Sequence, residues 1–340
     1  LRWIAPKSGA ANEPHIPVKA MGRYFLKKFI TLILLLFLVS LTVFAVLYGL
    51  PGDPAQIILG LQASPETLRN LRAELGLDRP FWIQYGQWIG ALLRLKSGRS
   101  IYYDLPVAEL LLSGLAVTAP LTLLAMVFAV FVALPLGIYA ARHQNRPGDA
   151  AVMTFVQLGL ATPEFWLGIL LMLLFAVKLG LFSAGGFPGW KTSVWGSLRA
   201  LLLPAMALGM IRASILTRQT RSAMLDVLGE DYIRTARAKG LRERTVIWVH
   251  ALRNALLPVM TILGLQVGQL LAGAIIIENV YYLPGLGRLV YQAISQRDLP
   301  VVREVVLFMA ATIVLVNFCV DLGYAAIDPR LRPGQGQSLT

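Results

Sequence analysis

The sequence predicts an all-α polytopic membrane protein with six transmembrane helices. Three observations predict it. First, of 340 residues 56% are hydrophobic and only 14% charged, with a mean hydropathy of +0.65, too apolar for an ordinary soluble domain. Second, six apolar runs occur, at 26–48, 115–141, 151–181, 198–216, 259–277 and 304–327. Each approaches or exceeds the roughly 20 helical residues that cross a bilayer core of about 30 Å. Third, basic residues gather at one end of these runs in alternation, which fixes their direction. The net charge of +13 alone would suit nucleic acid, but its placement at the ends of apolar runs favours the membrane.

Residues 1–20 are polar, carry Pro6, Pro14 and Pro17, and read as a disordered N-terminal extension ahead of Met21-Gly22-Arg23-Tyr24. The first transmembrane helix falls in 21–49. Arg23, Lys27 and Lys28 precede its apolar core and place the N-terminus inside. The run is too long for a signal peptide and no small-residue cleavage site follows.

Residues 50–113 form an outer segment with six acidic and six basic residues. It opens on the turn Pro51-Gly52-Asp53-Pro54. Ser64-Pro65-Glu66 is a helix start with a capping Ser, Pro at the first position and an acid in the first turn. Leu68, Leu71 and Leu75 line one face, and Gly76 ends it. Residues 81–93 repeat the pattern with Trp82, Tyr85, Trp88, Ile89 and Leu92. An interfacial helix lying on the outer leaflet is the preferred reading, with packing against the bundle as the alternative.

Residues 114–328 hold the remaining five spans. The second runs inward to Arg142, His143 and Arg146. The third contains Thr162-Pro163-Glu164-Phe165-Trp166 near its middle, and Pro163 predicts a kink. An outer loop at 182–197 has Lys191 as its one charged residue. The fourth span ends near Arg212, Arg218 and Arg221. A cytoplasmic loop at 218–258 follows, then the fifth span, an outer stretch at 278–303, and the sixth span. Residues 329–340 are a cytoplasmic tail.

The loop carries the strongest functional signal. Between 226 and 244 lie Asp226, Glu230, Asp231, Arg234, Arg237, Lys239, Arg242, Glu243 and Arg244. At about 2.5–3.5 kcal/mol for each charge at a bilayer centre, the stretch cannot enter lipid. Its pattern is nonetheless helical: Leu225, Leu228, Tyr232 and Ala236 recur at three- and four-residue steps. Gly240 offers a stop. A second helical pattern runs through Val246, Ile247, His250 and Leu252 to Leu257-Pro258. A short amphipathic helix, a glycine break and a second helix on one side of a membrane protein form a shape suited to being gripped by a soluble partner.

These residues resemble the cytoplasmic "EAA" loop of bacterial ABC importer permeases. Tyr232-Ile233-Arg234-Thr235-Ala236-Arg237-Ala238-Lys239-Gly240-Leu241, followed by His250-Ala251-Leu252-Arg253-Asn254-Ala255, is similar to the dipeptide/oligopeptide/nickel branch. The Glu-Ala-Ala of the general pattern is reduced to Arg234-Thr235-Ala236, and the Gly240-to-Pro258 gap is longer than the short form. The stretches at 51–55, 74–80 and 283–288 also look like that branch, although Leu95-Lys96 stands where Gly-Asp is frequent. The resemblance spans about 21–332. It implies a type I ABC importer permease (MetI-like) architecture in the bacterial inner membrane, with both termini cytoplasmic and 50–113 periplasmic. It also implies a pore for peptides or similar small solutes, shared with a second homologous permease. Two ATPase subunits and a periplasmic substrate-binding protein complete that assembly, and Tyr232 to Leu241 would dock on the ATPase.

The chain has no Gly-x-x-x-x-Gly-Lys-Ser/Thr loop, so no cofactor is expected on this chain and ATP is expected to be used by partner subunits. His-Glu-x-x-His and Gly-x-Ser-x-Gly are absent too, so no catalytic or metal-binding residues are expected. His15, His143 and His250 are scattered, and the single Cys319 suits packing. Glu164 is the sharpest single residue, because a carboxylate within a span is costly and usually faces a bundle interior or water cavity. A pathway carboxylate attracting a peptide amino terminus and a structural hydrogen bond to a neighbouring helix have equal claim. Asp321, with Asn317 one turn before it, suits helix–helix bonding, with Arg212 or Arg218 as partners. Gly264 and Gly268 form a GxxxG pair suited to close packing or to a gate between two permeases. A secondary transporter or channel working without an ATPase is the alternative function. A membrane enzyme would need a nucleophile or metal cluster that the sequence does not offer.

Overall fold

The computed structural model describes residues 18–49, 54–60, 63–94, 96 and 98–327, with side chains over 26–320 apart from 54, 57 and 58. The turn at 51–53, the tail at 329–340, Leu95, most of the N-terminal extension and the Asp321 side chain lie outside this set. The described residues are predominantly helical. Five helices are long and apolar enough to cross a membrane: Leu26–Tyr48, Val107–Arg142, Val194–Leu228, Glu243–Val280 and Leu299–Val320. A bent pair, Pro147–Ala161 and Glu164–Lys178, supplies a sixth if taken as one broken span.

In chain order the helices are α1 (Val18–Tyr48), α2 (Pro54–Leu59), α3 (Pro65–Leu75), α4 (Phe81–Leu93), α5 (Val107–Arg142), α6 (Pro147–Ala161) and α7 (Glu164–Leu171). A more widely wound π-type stretch, Met172–Lys178, extends α7. Then come α8 (Val194–Leu228), α9 (Asp231–Ala238), α10 (Glu243–Val280), α11 (Leu286–Ser295) and α12 (Leu299–Ile327).

The α3 start follows the sequence reading. Ser64 accepts from the Thr67 amide at 3.2 Å, and Gly76 closes the helix at φ +67°. At 81–93, helix α4 packs against α1, as the alternative reading has it. Tyr85 and Trp88 are buried around Phe44, and the Ser40 hydroxyl bonds the Tyr85 hydroxyl at 2.8 Å. The α4 rings meet Phe44 with centroids 5.2–5.5 Å apart, an arrangement that contributes about 0.5–1.5 kcal/mol per pair beyond area burial.

The third span departs furthest from expectation. Thr162-Pro163 does not merely kink it; the two halves meet at 105°. Proline holds Thr162 extended and lacks an amide hydrogen, so α6 stops there and α7 begins anew at Glu164. Helices α8 and α10 also exceed their expected bounds. Helix α8 continues through Arg212, Arg218 and Arg221 to Leu228, and α10 runs through Pro258 without ending. The expected loop at 218–258 therefore shrinks to the connection at 229–242, which carries α9 between two long helices.

Small residues set the central contact. Alanines 125, 129 and 133 of α5 are buried. A side chain added at Gly137 would meet Thr220 of α8 at 2.6 Å, and one at Gly209 of α8 would meet the Ala125 carbonyl at 2.6 Å. The GxxxG pair of α10 faces α12 of the same chain: a Cβ at Gly264 would sit 2.6 Å from both Val320 methyls, and one at Gly268 would sit 3.2 Å from Ile313. Gly264→Ala is therefore expected to cost about 1–3 kcal/mol by overpacking, and Gly268→Ala less. Adding Val320→Ala to Gly264→Ala should restore the melting temperature in detergent. Equal melting of Gly264→Ala and the unmodified chain would remove this contact from the fold's supports.

Candidate functional site

Two places gather the residues singled out by sequence. The first is α9. Its Ile233 is fully buried and Ala236 nearly so, in one cluster with Met224 of α8 and Val246, Ile247 and Ala251 of α10. The expected stripe through Leu228 and Tyr232 needs correction. Gly229 and Glu230 end α8 before α9 starts, which resets the helical phase, and Ile233 rather than Tyr232 is the anchor. Tyr232 is 41% exposed, and its hydroxyl accepts from Asn254 Nδ2 at 2.7 Å. Arg234, Thr235, Arg237, Ala238, Lys239, Gly240 and Leu241 are also exposed. The helix thus lies with one side on the protein and the other bare.

The turn after α9 is built for its path. Gly240 has φ +75°, with nothing within 4 Å of where a Cβ would sit. Arg237 reaches across it to Glu243 with donor distances of 2.8 and 3.2 Å. That carboxylate holds the Arg237 guanidinium above its ordinary pKa. Asp231 pairs with Arg234 at 3.1 Å on the exposed side.

The second place is the bend. Arg212 of α8 donates to the Glu164 carboxylate at the first turn of α7, and its Nη2 lies 3.4 Å from the Gln269 carbonyl of α10. The two side chains are 9% and 13% exposed. Gly273 of α10 makes room: a Cβ there would strike Glu164 Oε2. Glu164 is thus enclosed by α7, α8 and α10, an arrangement that matches the structural reading of this carboxylate. Arg212 is a buried residue within α8 whose partner in this bond lies 48 positions earlier.

Sequence reasoning missed three further polar contacts. Glu278, taken as the first outer residue, is fully buried at the end of α10. It accepts from the Thr118 hydroxyl at 2.5 Å and the Arg288 amide at 3.1 Å, while Thr118 accepts from the Leu286 amide at 2.8 Å. The signal available was Gly285 and Gly287: a side chain at the first would strike Glu278, and one at the second would strike the Ile275 backbone. Asp298 is buried and accepts from the Ser100 hydroxyl and from the Ile101 and Tyr102 amides, both at 3.2 Å. Asp149 takes both 2.6 Å bonds of Arg221 and ties the start of α6 to α8. No local spacing announces either pair.

Comparison with known proteins bears on both places. The sequence model of the family described as "Binding-protein-dependent transport system inner membrane component" matches residues 133–333, which include α9, its flanking helices and the bend. A model of the N-terminal part of such membrane components matches 21–103. A putative peptide transport system permease protein of Brucella abortus is 43% identical over 312 residues, covering 92% of this chain and 99% of the relative. A dipeptide transport system permease protein of Alkalihalophilus pseudofirmus is 39% identical over 332 residues, covering 92% and 100%. A glutathione transport system permease protein of Salmonella choleraesuis is 41% identical over 312 residues, covering 92% and 99%. Among solved structures, an inward-facing methionine ABC transporter has a chain that aligns with a TM-score of 0.56 at 19% identity, covering 66% of this chain and 98% of that one. That likeness concerns the fold. Helices, bend and connecting helix together with these sequence matches place the chain in the family of binding-protein-dependent transport system inner membrane components.

Proposed function

We propose that this chain is the permease subunit of an ATP-driven importer for peptides or similar small solutes, forming half of the pore with a second, homologous permease. Two ATPase subunits bind on the cytoplasmic side and a substrate-binding protein on the periplasmic side. ATP is used by the ATPases, and this chain supplies the path and the lever. Both termini face the cytoplasm, with 50–113 outside. The observation that carries the reading is α9. It is anchored by Ile233 between α8 and α10, both of which are long and apolar enough to cross a membrane, and its Tyr232-to-Leu241 stretch leaves an exposed face of ion-paired and free charges. A push on that face reaches two spans at once. Peptides are favoured because the relatives' names give peptide, dipeptide and glutathione.

In proteoliposomes holding the assembled complex, uptake should require ATP on the face where a maleimide labels a cysteine placed at 239 in a Cys319→Ser background. Uptake without ATP would favour a secondary transporter. A requirement for ATP on the opposite face would reverse the orientation.

A further inference from the structure

A pocket of about 970 Å³ opens where the end of α1, the α3–α4 segment, the loop at 98–104 and the start of α12 meet. It lies apart from α9 and from the bend. Its walls divide by chemistry. Phe44, Leu47, Tyr48 and Leu75 are apolar, whereas Arg72, Arg99 and Arg303 bring positive charge against Asp78 and Asp104.

Arg303 is the telling residue. Its guanidinium carbon lies 4.8 Å from the centre of the Trp88 ring and 5.9 Å from that of Phe44. Aromatic faces attract a cation but accept no strong hydrogen bond. Its buried Nε has no hydrogen-bond partner among the described residues, and neither has the buried Trp88 Nε1. Of the described carboxylates, Asp104 is taken by Arg99 at 3.1 Å, and the neighbouring Glu304 attracts Arg303 without supplying an acceptor to its Nε. Buried donors left unmatched in a pocket mark a missing acceptor. A guanidinium is a rigid fork that matches phosphate oxygens. On α1 the face that carries Phe44, Leu47 and Tyr48 continues, at helical spacing, through the exposed Ile30, Ile33 and Phe37 of the membrane span.

We propose that this pocket holds the phosphate of an anionic phospholipid, with Arg303 and the Trp88 indole as donors and the acyl chains laid along α1. A free phosphate shares the headgroup chemistry but has no use for the apolar wall.

The test is native mass spectrometry of the full chain in detergent, titrated with phosphatidylglycerol, phosphatidylcholine or glycerol phosphate. Phosphatidylglycerol should bind at least tenfold tighter than phosphatidylcholine, and Arg303→Gln should abolish the preference. Gln87, exposed and lining the same pocket, gives a variant that spares the packing. Gln87→Glu adds a negative charge there and should weaken phosphatidylglycerol binding severalfold. Equal binding of the two lipids, or a preference unchanged in Arg303→Gln, would overturn the proposal. So would glycerol phosphate competing as well as the lipid, which would assign the pocket to a soluble phosphate. If Arg303→Gln does not fold, Gln87→Glu decides: an unchanged preference overturns it.

Discussion

Glu164→Leu alone should remove most of the folded protein, and Glu164→Leu joined with Arg212→Met should restore it. The pair is enclosed by three helices, at 13% and 9% exposure. Removing one member leaves the other as an uncompensated charge in an apolar interior, at about 3–5 kcal/mol. Removing both with apolar groups of similar volume is close to neutral by the same reasoning. Arg212→Met alone should be less harmful than Glu164→Leu, because a buried carboxyl can take up a proton whereas a guanidinium cannot lose one. Melting in detergent and the amount of chain in the membrane measure the effect. A further readout separates the two roles open to Glu164. If Glu164→Gln folds and loses only transport of solutes with a free amino group, the carboxylate serves the path. If the double variant fails as badly as either single, the pair is not a closed structural unit.

The two-letter signal Thr162-Pro163 was legible, but only as a kink. The 105° turn depends on what α7 packs against after the break, and Gly168 and Tyr281 show why that is invisible locally. The Tyr281 hydroxyl donates to the Gly168 carbonyl at 2.8 Å across 113 positions. Hydropathy counting placed the end of the fourth span near Arg212 because it scores each charge alone. Arg212 and Arg221 are neutralised by Glu164 and Asp149, so α8 carries them within its length. The same blindness put Glu278 outside. Pro258 was read as a helix end, but α10 keeps its course through it. At α9 the helix and its glycine stop were legible, since both are local. The anchor was not, because the stripe was counted across Gly229 as though the helix were unbroken. Glycine contacts such as Gly264 on Val320 were legible as close packing, while the identity of the neighbour was not.

Gly240→Val and Tyr232→Asp should each separate ATP hydrolysis from uptake without unfolding the spans. For Gly240 the reasoning is conformational. Its φ of +75° lies where a residue with a side chain costs roughly 1–2 kcal/mol, and a β-branched one is a true outlier. No atom lies within 4 Å of the added Cβ, so the cost comes from the backbone and not from a clash. A shift of that size, about tenfold in population, moves α9 away from the angle that Arg237 and Glu243 hold across the turn. Ala at 240 should fall between Gly and Val. Tyr232→Asp acts differently. It removes the hydroxyl that accepts from Asn254 and sets a carboxylate on the exposed face of α9. Ile233, buried underneath, is untouched, so the spans should melt as before. Uptake is expected to fall at least about tenfold in both, with Gly240→Val keeping the ATPase bound and Tyr232→Asp releasing part of it on purification. Copurification, ATPase rate and uptake, measured on the same preparations, check this. Normal uptake with the ATPase fully retained in both variants would mean that α9 is not where the motor grips.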